Sequence, residues 1–390
     1  RQGCEAAQPL YVLFTSGSTG EPKAVHASHR AALSHLCHVV SCYGLRAADV
    51  GLQHTSLSWV AAMPEVWAPL LVGGALAVAP GGPKALQDLE GLAAFGAVAQ
   101  PSLQQFVPSV LNAMLQADLR PLGPACRHLV LTGEPLPRDL CARVLGPPPG
   151  AGTAAGARPA GGARVLRNHY GQTEAADTTT VFRVEHPLPR AAAVPIGEPA
   201  SHRHVWLRGT VGDGGAFGEG GGPGEIVVAG PGLMLDRPAA GAARAAALQD
   251  SALGAGAALG TGDLGRWAGA GGGALACLGR LDRQVKVRGH RIELAEVEAV
   301  VREEGGRLLG RHIEAVALAC GGLARGGRPG TGLVAYICPA ELATGHFVEQ
   351  LLAACRARLL PHAVPTAVIG VGAWPRTATG KLDRQRLPAP

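Results

Sequence analysis

The sequence predicts an α/β protein built as one large domain followed by a smaller α+β domain. Short apolar runs alternate with segments of helical period, as in Tyr11-Val12-Leu13-Phe14 followed by the Leu33, Leu36, Val39, Val40 stripe. Such alternation is the pattern of strands joined through helices. A charged, glycine-punctuated stretch at residues 278–293 separates this part from a final segment of about a hundred residues with strands and helices of its own, enough for an independent unit. The 390 residues, 47% apolar and 16% charged, allow sizeable cores and exclude a disordered chain.

Composition also narrows the function. The net charge of +6, the absence of basic runs and the presence of only four Tyr argue against nucleic-acid binding and for a solvated arginine surface. Nine Cys without a C-x-x-C pair suggest neither a zinc site nor a disulfide framework, and reduced thiols point to the cytoplasm. The longest uncharged stretch, between Glu90 and Asp118, is interrupted by Gln100, Pro101, Gln104, Gln105 and Pro108, so no membrane span is expected. No signal peptide is visible, and the chain opens on Arg1, which leaves targeting open. Lysine is rare: Lys23, Lys84, Lys286 and Lys381 are the four among 35 basic residues. Three of them lie in the motifs below, where a compact ammonium is not equivalent to a planar guanidinium.

The first motif follows the strand at residues 11–14, which reads as buried. Thr15-Ser16-Gly17-Ser18-Thr19-Gly20, then Pro22 and Lys23, can wrap a polyphosphate with backbone N–H groups, hydroxyls and one ammonium. Glycines let the backbone approach an anion closely. The ordinary alternative is a strand-to-helix turn. The spacing is not that of a Walker loop. The helix at residues 31–40 follows, with its N-terminus toward the phosphates. His26, His29, His35 and His38 lack an acidic or thiol set that would complete a metal site, so they read as surface or N-terminal-turn residues.

Residues 55–78 read as loop, helix, Gly73-Gly74 turn and short strand, with Trp59-Val60 at the start of the helix. Packing in the core is the ordinary role for Trp59. Two further β-α elements cover residues 93–103 and 127–132, the second running into Gly133-Glu134. Residues 146–163, 211–224, 268–274 and 321–331 are rich in Gly, Ala and Pro and read as expanded surface loops. Between them lie Asn168-His169-Tyr170-Gly171-Gln172-Thr173-Glu174, Gly224-Glu225-Ile226 entering a strand, Thr261-Gly262-Asp263-Leu264, and Gly279-Arg280-Leu281-Asp282-Arg283-Gln284-Val285-Lys286. Taken singly, the first reads as a polar turn and Asp263 as a turn residue. Leu294, Val297, Val300 and Val301 then share one helix face. Strands at residues 312–318 and 332–337 and a helix at 347–360 precede Pro375-Arg376-Thr377-Ala378-Thr379-Gly380-Lys381-Leu382-Asp383-Arg384.

In this order the motifs resemble those of the adenylate-forming (AMP-binding) superfamily, from the strand at Tyr11 to Arg384. Within it the chain is most similar to nonribosomal-peptide-synthetase-type adenylation domains and to β-alanine-activating, acyl-activating enzymes. The resemblance implies an α/β fold: a large multi-sheet AMP-binding domain of mostly parallel sheets at residues 1–281, then an α+β lid at 282–390 with Asp282 as hinge. It makes Thr15, Ser16, Gly17, Ser18, Thr19, Gly20 and Lys23 the phosphate loop. Gly133 and Glu134 would lie on the adenine face. Asn168 would read an adenine edge, Tyr170 beside Gly171 would stack on the base, and Thr173 would reach the α-phosphate. Glu174 would hold Mg²⁺. Asp263 would take the ribose hydroxyls, with Arg280 as a second ribose or phosphate contact. Lys381 would offset the charge that develops on adenylate formation.

Trp59, Val60, His169 and Asp177 would line the acid pocket. Many relatives have Phe-Asp where this chain has Trp59-Val60, and valine cannot pair with a substrate's α-ammonium. Asp177 or His169 could hold a more distant amine, as β-alanine would present. The implied reaction is ATP-dependent activation of an amino or acyl acid as acyl-adenylate, then transfer to the thiol of phosphopantetheine on a carrier domain or of CoA. The expected partners are that small acid and that thiol, with no nucleic acid and no membrane. The alternative is a catalytically inactive homologue or nucleotide-binding module; a P-loop NTPase is disfavoured by the missing Walker spacing. Ala24 stands where most of the family has Gly, and Ile226 replaces a Leu. Little chain precedes Tyr11, so the large domain is expected to be N-terminally truncated, with exposed strand edges and apolar patches.

Overall fold

A computed structural model describes residues 5–15, 23–119, 121–147, 164–189, 191, 193–209, 222–231, 233, 258–268, 273–281, 284–287, 290–311, 313–320, 332–376 and 384–390. The chain divides into two compact units, Arg1–Thr15 with Ala24–Asp282 and Ser16–Lys23 with Arg283–Pro390. Most of each glycine-rich segment lies outside the described residues.

The first unit opens with a two-stranded ribbon, β1 (Pro9–Thr15) and β2 (Lys23–Ser28), and continues into helix α1 (His29–Tyr43). Ser28 caps α1 by accepting from the N–H of Ala31 at 3.1 Å, and Gly44 ends it at φ 57, a conformation open to glycine at low cost. Two expectations need correction here. Strand β2 intervenes between the glycine-rich loop and the helix, so the loop joins two strands. β1 is also not a buried strand: Leu13 is buried while Leu10, Val12 and Phe14 are exposed, as the two-residue period of a one-faced strand dictates.

A seven-stranded sheet then forms from β3 (Val50–Gln53), β4 (Ala75–Val78), β5 (Leu103–Phe106), β6 (His128–Thr132), β7 (Val165–Gln172), β8 (Asp177–Val184) and β9 (Glu198–Pro199), in the order β4-β3-β5-β6-β7-β8-β9. Pairing is parallel from β4 to β7 and antiparallel from β7 to β9. The helices α2 (Ala62–Leu71), α3 (Leu89–Ala99), α4 (Pro108–Gln116) and α5 (Arg138–Leu145) are its connections. Alternation along β6 divides the core: Leu129 and Leu131 join the cluster with Leu92, Leu111, Met114 and Leu140, whereas Val130 meets Leu36, Val39 and Tyr43 of α1 and Ala68 of α2. Both faces are thereby covered, as parallel sheets require.

A second sheet follows, β10 (His204–Gly209), β11 (Gly224–Ala229), β12 (Ala258–Trp267) and β13 (Leu275–Arg280), antiparallel throughout. The expectation of mostly parallel sheets therefore holds for one sheet and fails for this one. Its successive strands pair with their chain neighbours without a helical crossover, which parallel pairing would need. Asp263 lies within β12, not in a turn.

The second unit holds the ribbon of β14 (Gln284–Val287) and β15 (His290–Glu293), helix α6 (Leu294–Leu309), and the sheet of β16 (Glu314–Cys320), β17 (Gly332–Cys338) and β18 (Ala367–Gly370), with helix α7 (Gly345–Arg358). Its own core packs Leu294, Val297 and Val301 of α6 and Leu351 and Cys355 of α7 against Ala317, Ala335 and Ile337. Among the described residues no helix is long and apolar enough to cross a membrane.

Candidate active site

Three motifs far apart in the chain meet where the two sheets of the first unit adjoin. The register of β12 on β13 sets Asp263 opposite Arg280, and Arg280 donates to Asp263 Oδ1 at 2.9 Å. Tyr170, from β7, donates its hydroxyl to Asp263 Oδ2 at 2.6 Å. Arg280 also donates to the Thr261 carbonyl at 3.2 Å, and Asp263 N donates to Thr261 Oγ1 at 3.0 Å. Burial, then the Asp263 charge, pushes the Tyr170 phenol well up, so it remains a donor. The Tyr170 ring packs with Ile196, Leu207, Ile226 and Leu275. A hydrogen bond from a hydroxyl to a buried carboxylate contributes about 1.5–3 kcal/mol, so Tyr170→Phe is expected to lose that much stability, read from the urea midpoint.

The neighbouring nucleotide candidates are placed less uniformly. Asn168 is buried and donates to the Pro195 carbonyl at 2.8 Å, which commits the amide donor assigned above to an adenine edge. Glu134, next to the positive-φ Gly133, accepts from Ser109 N at 3.0 Å and Ser109 Oγ at 3.1 Å, at the start of α4. Thr173 and Glu174 lie on a single helical turn, Thr173–Ala175, between β7 and β8, half-buried. Thr15 ends β1 and Lys23 opens β2. Ser16, Gly17, Ser18, Thr19, Gly20, Asp282 and Lys381 lie outside the described residues. Among the described residues no group of three or more His, Cys, Asp or Glu is placed to hold a metal. A single carboxylate such as Glu174 still suits Mg²⁺, which is held mostly by phosphate oxygens and water.

The acid-pocket candidates form a second cluster. Trp59 and Val60 sit in the turn into α2, with Val60 buried and Trp59 half-buried. That turn is braced by Glu65, a buried acid that the sequence reading missed. Its carboxylate accepts from His54 N at 3.1 Å, Thr55 N at 3.0 Å and Thr55 Oγ1 at 2.5 Å. Glu65→Ala strands these donors, and each buried orphan costs about 1–3 kcal/mol. The variant is expected to lose at least ~2 kcal/mol in urea unfolding, with Glu65→Gln losing less. A small cavity lies beside this brace, lined by Val39, Tyr43, Pro64, Gln105, Val130 and His169 among others.

His169 is buried, with Nδ1 3.0 Å from Thr178 Oγ1 and Nε2 on the Tyr43 hydroxyl. Burial pulls its imidazole down to about 3. It is therefore neutral, donating to one hydroxyl and accepting from the other. Arg167 sits over the Tyr43 ring at 4.1 Å, a cation–π contact that braces Tyr43.

Asp177 starts β8, buried, at φ 84, with Ala176 at φ 50 before it. Two successive non-glycine residues in the left-handed region store strain. Its carboxylate lies 3.4 Å from His35 Nε2. Burial alone would raise this acid, but the contact with His35, then the Arg203 charge, hold it below the usual carboxylate range. His35 and His38 are thus buried rather than surface residues, which corrects the expectation for this helix. Their spacing beside Leu36 and Val39, on the inward stripe of α1, was the available signal.

Residues 1–236 match the family described as AMP-binding enzyme. Vanchrobactin synthetase VabF of Vibrio anguillarum is 30% identical over 404 residues, covering 100% of this chain and 13% of that protein. The chain thus spans a small part of that relative's length. Among solved structures, the Vibrio cholerae adenylation domain AlmE in complex with glycyl-adenosine-5'-phosphate superposes with a TM-score of 0.75 at 24% identity, covering 97% of this chain and 66% of that one. An NRPS protein containing adenylation and PCP domains, bound to a vinylsulfonamide inhibitor, gives a TM-score of 0.74 at 26% identity, covering 97% and 60%.

Proposed function

The chain belongs to the AMP-binding enzyme family, and from that premise we propose that it activates a carboxylic acid as its acyl-adenylate with ATP, then passes the acyl group to a thiol. The observation that carries the reading is the meeting of Tyr170, Asp263 and Arg280, drawn from three separate motifs, around one buried carboxylate. Asp263 can exchange these partners for two ribose hydroxyls, and Arg280 can turn to a phosphate oxygen.

In the first half-reaction a substrate carboxylate oxygen bonds to the α-phosphorus of ATP and the bond to pyrophosphate breaks. The loop from Thr15 to Gly20 and Lys23 hold the departing phosphates. Thr173 donates to the α-phosphate, and Lys381 offsets the charge on the attacking carboxylate and the transferring group. Glu174 would hold Mg²⁺, which would supply charge neutralisation. In the second half-reaction a thiolate sulfur bonds to the acyl carbon and AMP leaves, the C-terminal unit having turned about Asp282. The adenylation–PCP relative favours phosphopantetheine on a carrier domain over CoA as that thiol.

Val60 offers no charge to an α-ammonium, so we assign the pocket to an acid whose amine is distant from its carboxylate, as in β-alanine, with Asp177 as counter-charge. ATP–pyrophosphate exchange over β-alanine, α-amino, aryl and fatty acids tests this. Exchange that depends on an added acid is expected, with β-alanine preferred. Strong preference for an α-amino acid would refute the reading of Val60. ATP binding without exchange for any acid would favour the inactive nucleotide-binding module.

A further inference from the structure

Both sheets of the first unit hold the short segment from Val194 to Gly197. On the seven-stranded side, Asn168 of β7 donates to the Pro195 carbonyl at 2.8 Å, and Thr180 of β8 donates to the Ile196 carbonyl at 2.7 Å. On the antiparallel side, Ile196 N and Gly197 N donate to the Leu275 carbonyl of β13 at 2.7 and 3.1 Å. Leu275 N returns a bond to the Gly197 carbonyl at 2.8 Å. The segment is therefore a strap between β8 and β13. Its seat on β8 is tight: at Gly197, φ 91, an added Cβ would meet the Val181 carbonyl oxygen at 1.9 Å.

The strap joins the two halves of the Asp263 site. Tyr170 stands on β7 directly opposite Thr180 on β8, and its ring packs with Ile196 of the strap and with Leu275. Leu275 opens β13 and Arg280 closes it. Tyr170 thus comes from one sheet, while Asp263 and Arg280 come from the other. The bond from Tyr170 to Asp263 exists only while the spacing between the sheets is held. Thr180 is 0% exposed, and a buried bond from hydroxyl to carbonyl is directional and costly to leave unmade.

We infer that Thr180 is a positioning residue for the ribose end of the nucleotide site: acting through the strap, it sets where the Asp263 carboxylate stands. This rests on the proposed reading of Asp263 as the ligand of the ribose hydroxyls. Asn168 acts on the same strap from the neighbouring strand, so its amide serves the strap rather than an adenine edge. A misplaced carboxylate costs affinity where it touches the nucleotide, so recognition of the ribose suffers more than recognition of the base.

The test is calorimetric binding of ATP, deoxy-ATP and inosine triphosphate to the full chain. The wild type is expected to prefer ATP over deoxy-ATP by about tenfold or more, as the loss of a hydroxyl bonded to a carboxylate implies. Thr180→Val removes the hydroxyl and keeps the branched shape. It should weaken ATP about tenfold and deoxy-ATP less than about threefold, so that the preference shrinks. Thr180→Ser should restore it. Asn168→Ala should shrink the same preference while the preference for ATP over inosine triphosphate stays level. Equal weakening of ATP and deoxy-ATP in Thr180→Val, no change in either, or no recovery in Thr180→Ser overturns the inference. So does a loss of base preference in Asn168→Ala with the ribose preference intact. Acid-dependent pyrophosphate exchange by the wild type leaves adenylation standing in each of these cases. A wild type that binds ATP and deoxy-ATP equally removes Asp263 from the ribose, and this inference with it. No ATP binding and no exchange with any acid remove the proposed function as well. If neither Thr180→Val nor Asn168→Ala folds, the strap is a folding element and the inference falls.

Discussion

Lys381→Ala is expected to lower acid-dependent ATP–pyrophosphate exchange by about 10²–10³-fold, the usual cost of removing one preorganised group that meets developing charge. The reasoning starts from charge. A carboxylate approaching a polyphosphate is an anion attacking an anion, and a cation that meets both is needed most at the transition state. Lys381 follows Gly380 in a sequence that otherwise uses arginine for ordinary positive charge, and an ammonium on a flexible stem can follow an oxygen through the step. Thiolysis of a supplied acyl-adenylate involves no such approach, so that half-reaction should fall less than about tenfold. The measurement is exchange against single-turnover thiolysis, and equal losses in both would remove Lys381 from this role.

Gly171→Ala is expected to be strongly destabilising, at about 3 kcal/mol. A Cβ on Gly171 would lie 1.8 Å from the Asp177 carbonyl oxygen and 3.0 Å from Thr178 Cα. Both are backbone atoms of the paired strand and cannot turn aside as a side chain would. The β7–β8 hairpin must open, carrying Asp177 and Thr178 with it, so the β-alanine KM should rise along with the loss in urea midpoint. Gly345→Ala is the control: nothing lies within 4 Å of its added Cβ, and in helix α7 alanine should be neutral or stabilising by up to about 1 kcal/mol.

The legible parts of the fold were those in which local pattern and tertiary outcome agree. Leu294, Val297, Val300 and Val301 face inward on α6, and Leu351 and Cys355 do so on α7, because a helix with one apolar stripe has one way to bury it. The segment before the glycine-rich loop was read too simply. Four apolar residues in a row do not say whether a strand has neighbours on both faces, and Phe14 is 68% exposed. The histidines of α1 were misjudged for a related reason: charge and polarity suggest surface until a partner such as Asp177 arrives from a strand more than a hundred residues later.

By itself the sequence determined the family and the order of its motifs. It did so because glycine, carboxylate, hydroxyl and ammonium at fixed spacings carry their chemistry with them wherever the chain folds. Only the tertiary structure decided which of those groups meet. Tyr170, Asp263 and Arg280 share one carboxylate because two sheets adjoin there. Asn168 has its donor spent on a carbonyl, and Glu65 and His35 enter the site from helices that no motif marks. Register, sheet order and burial set these contacts, and they arise from packing between segments distant in the chain, which no local spacing encodes.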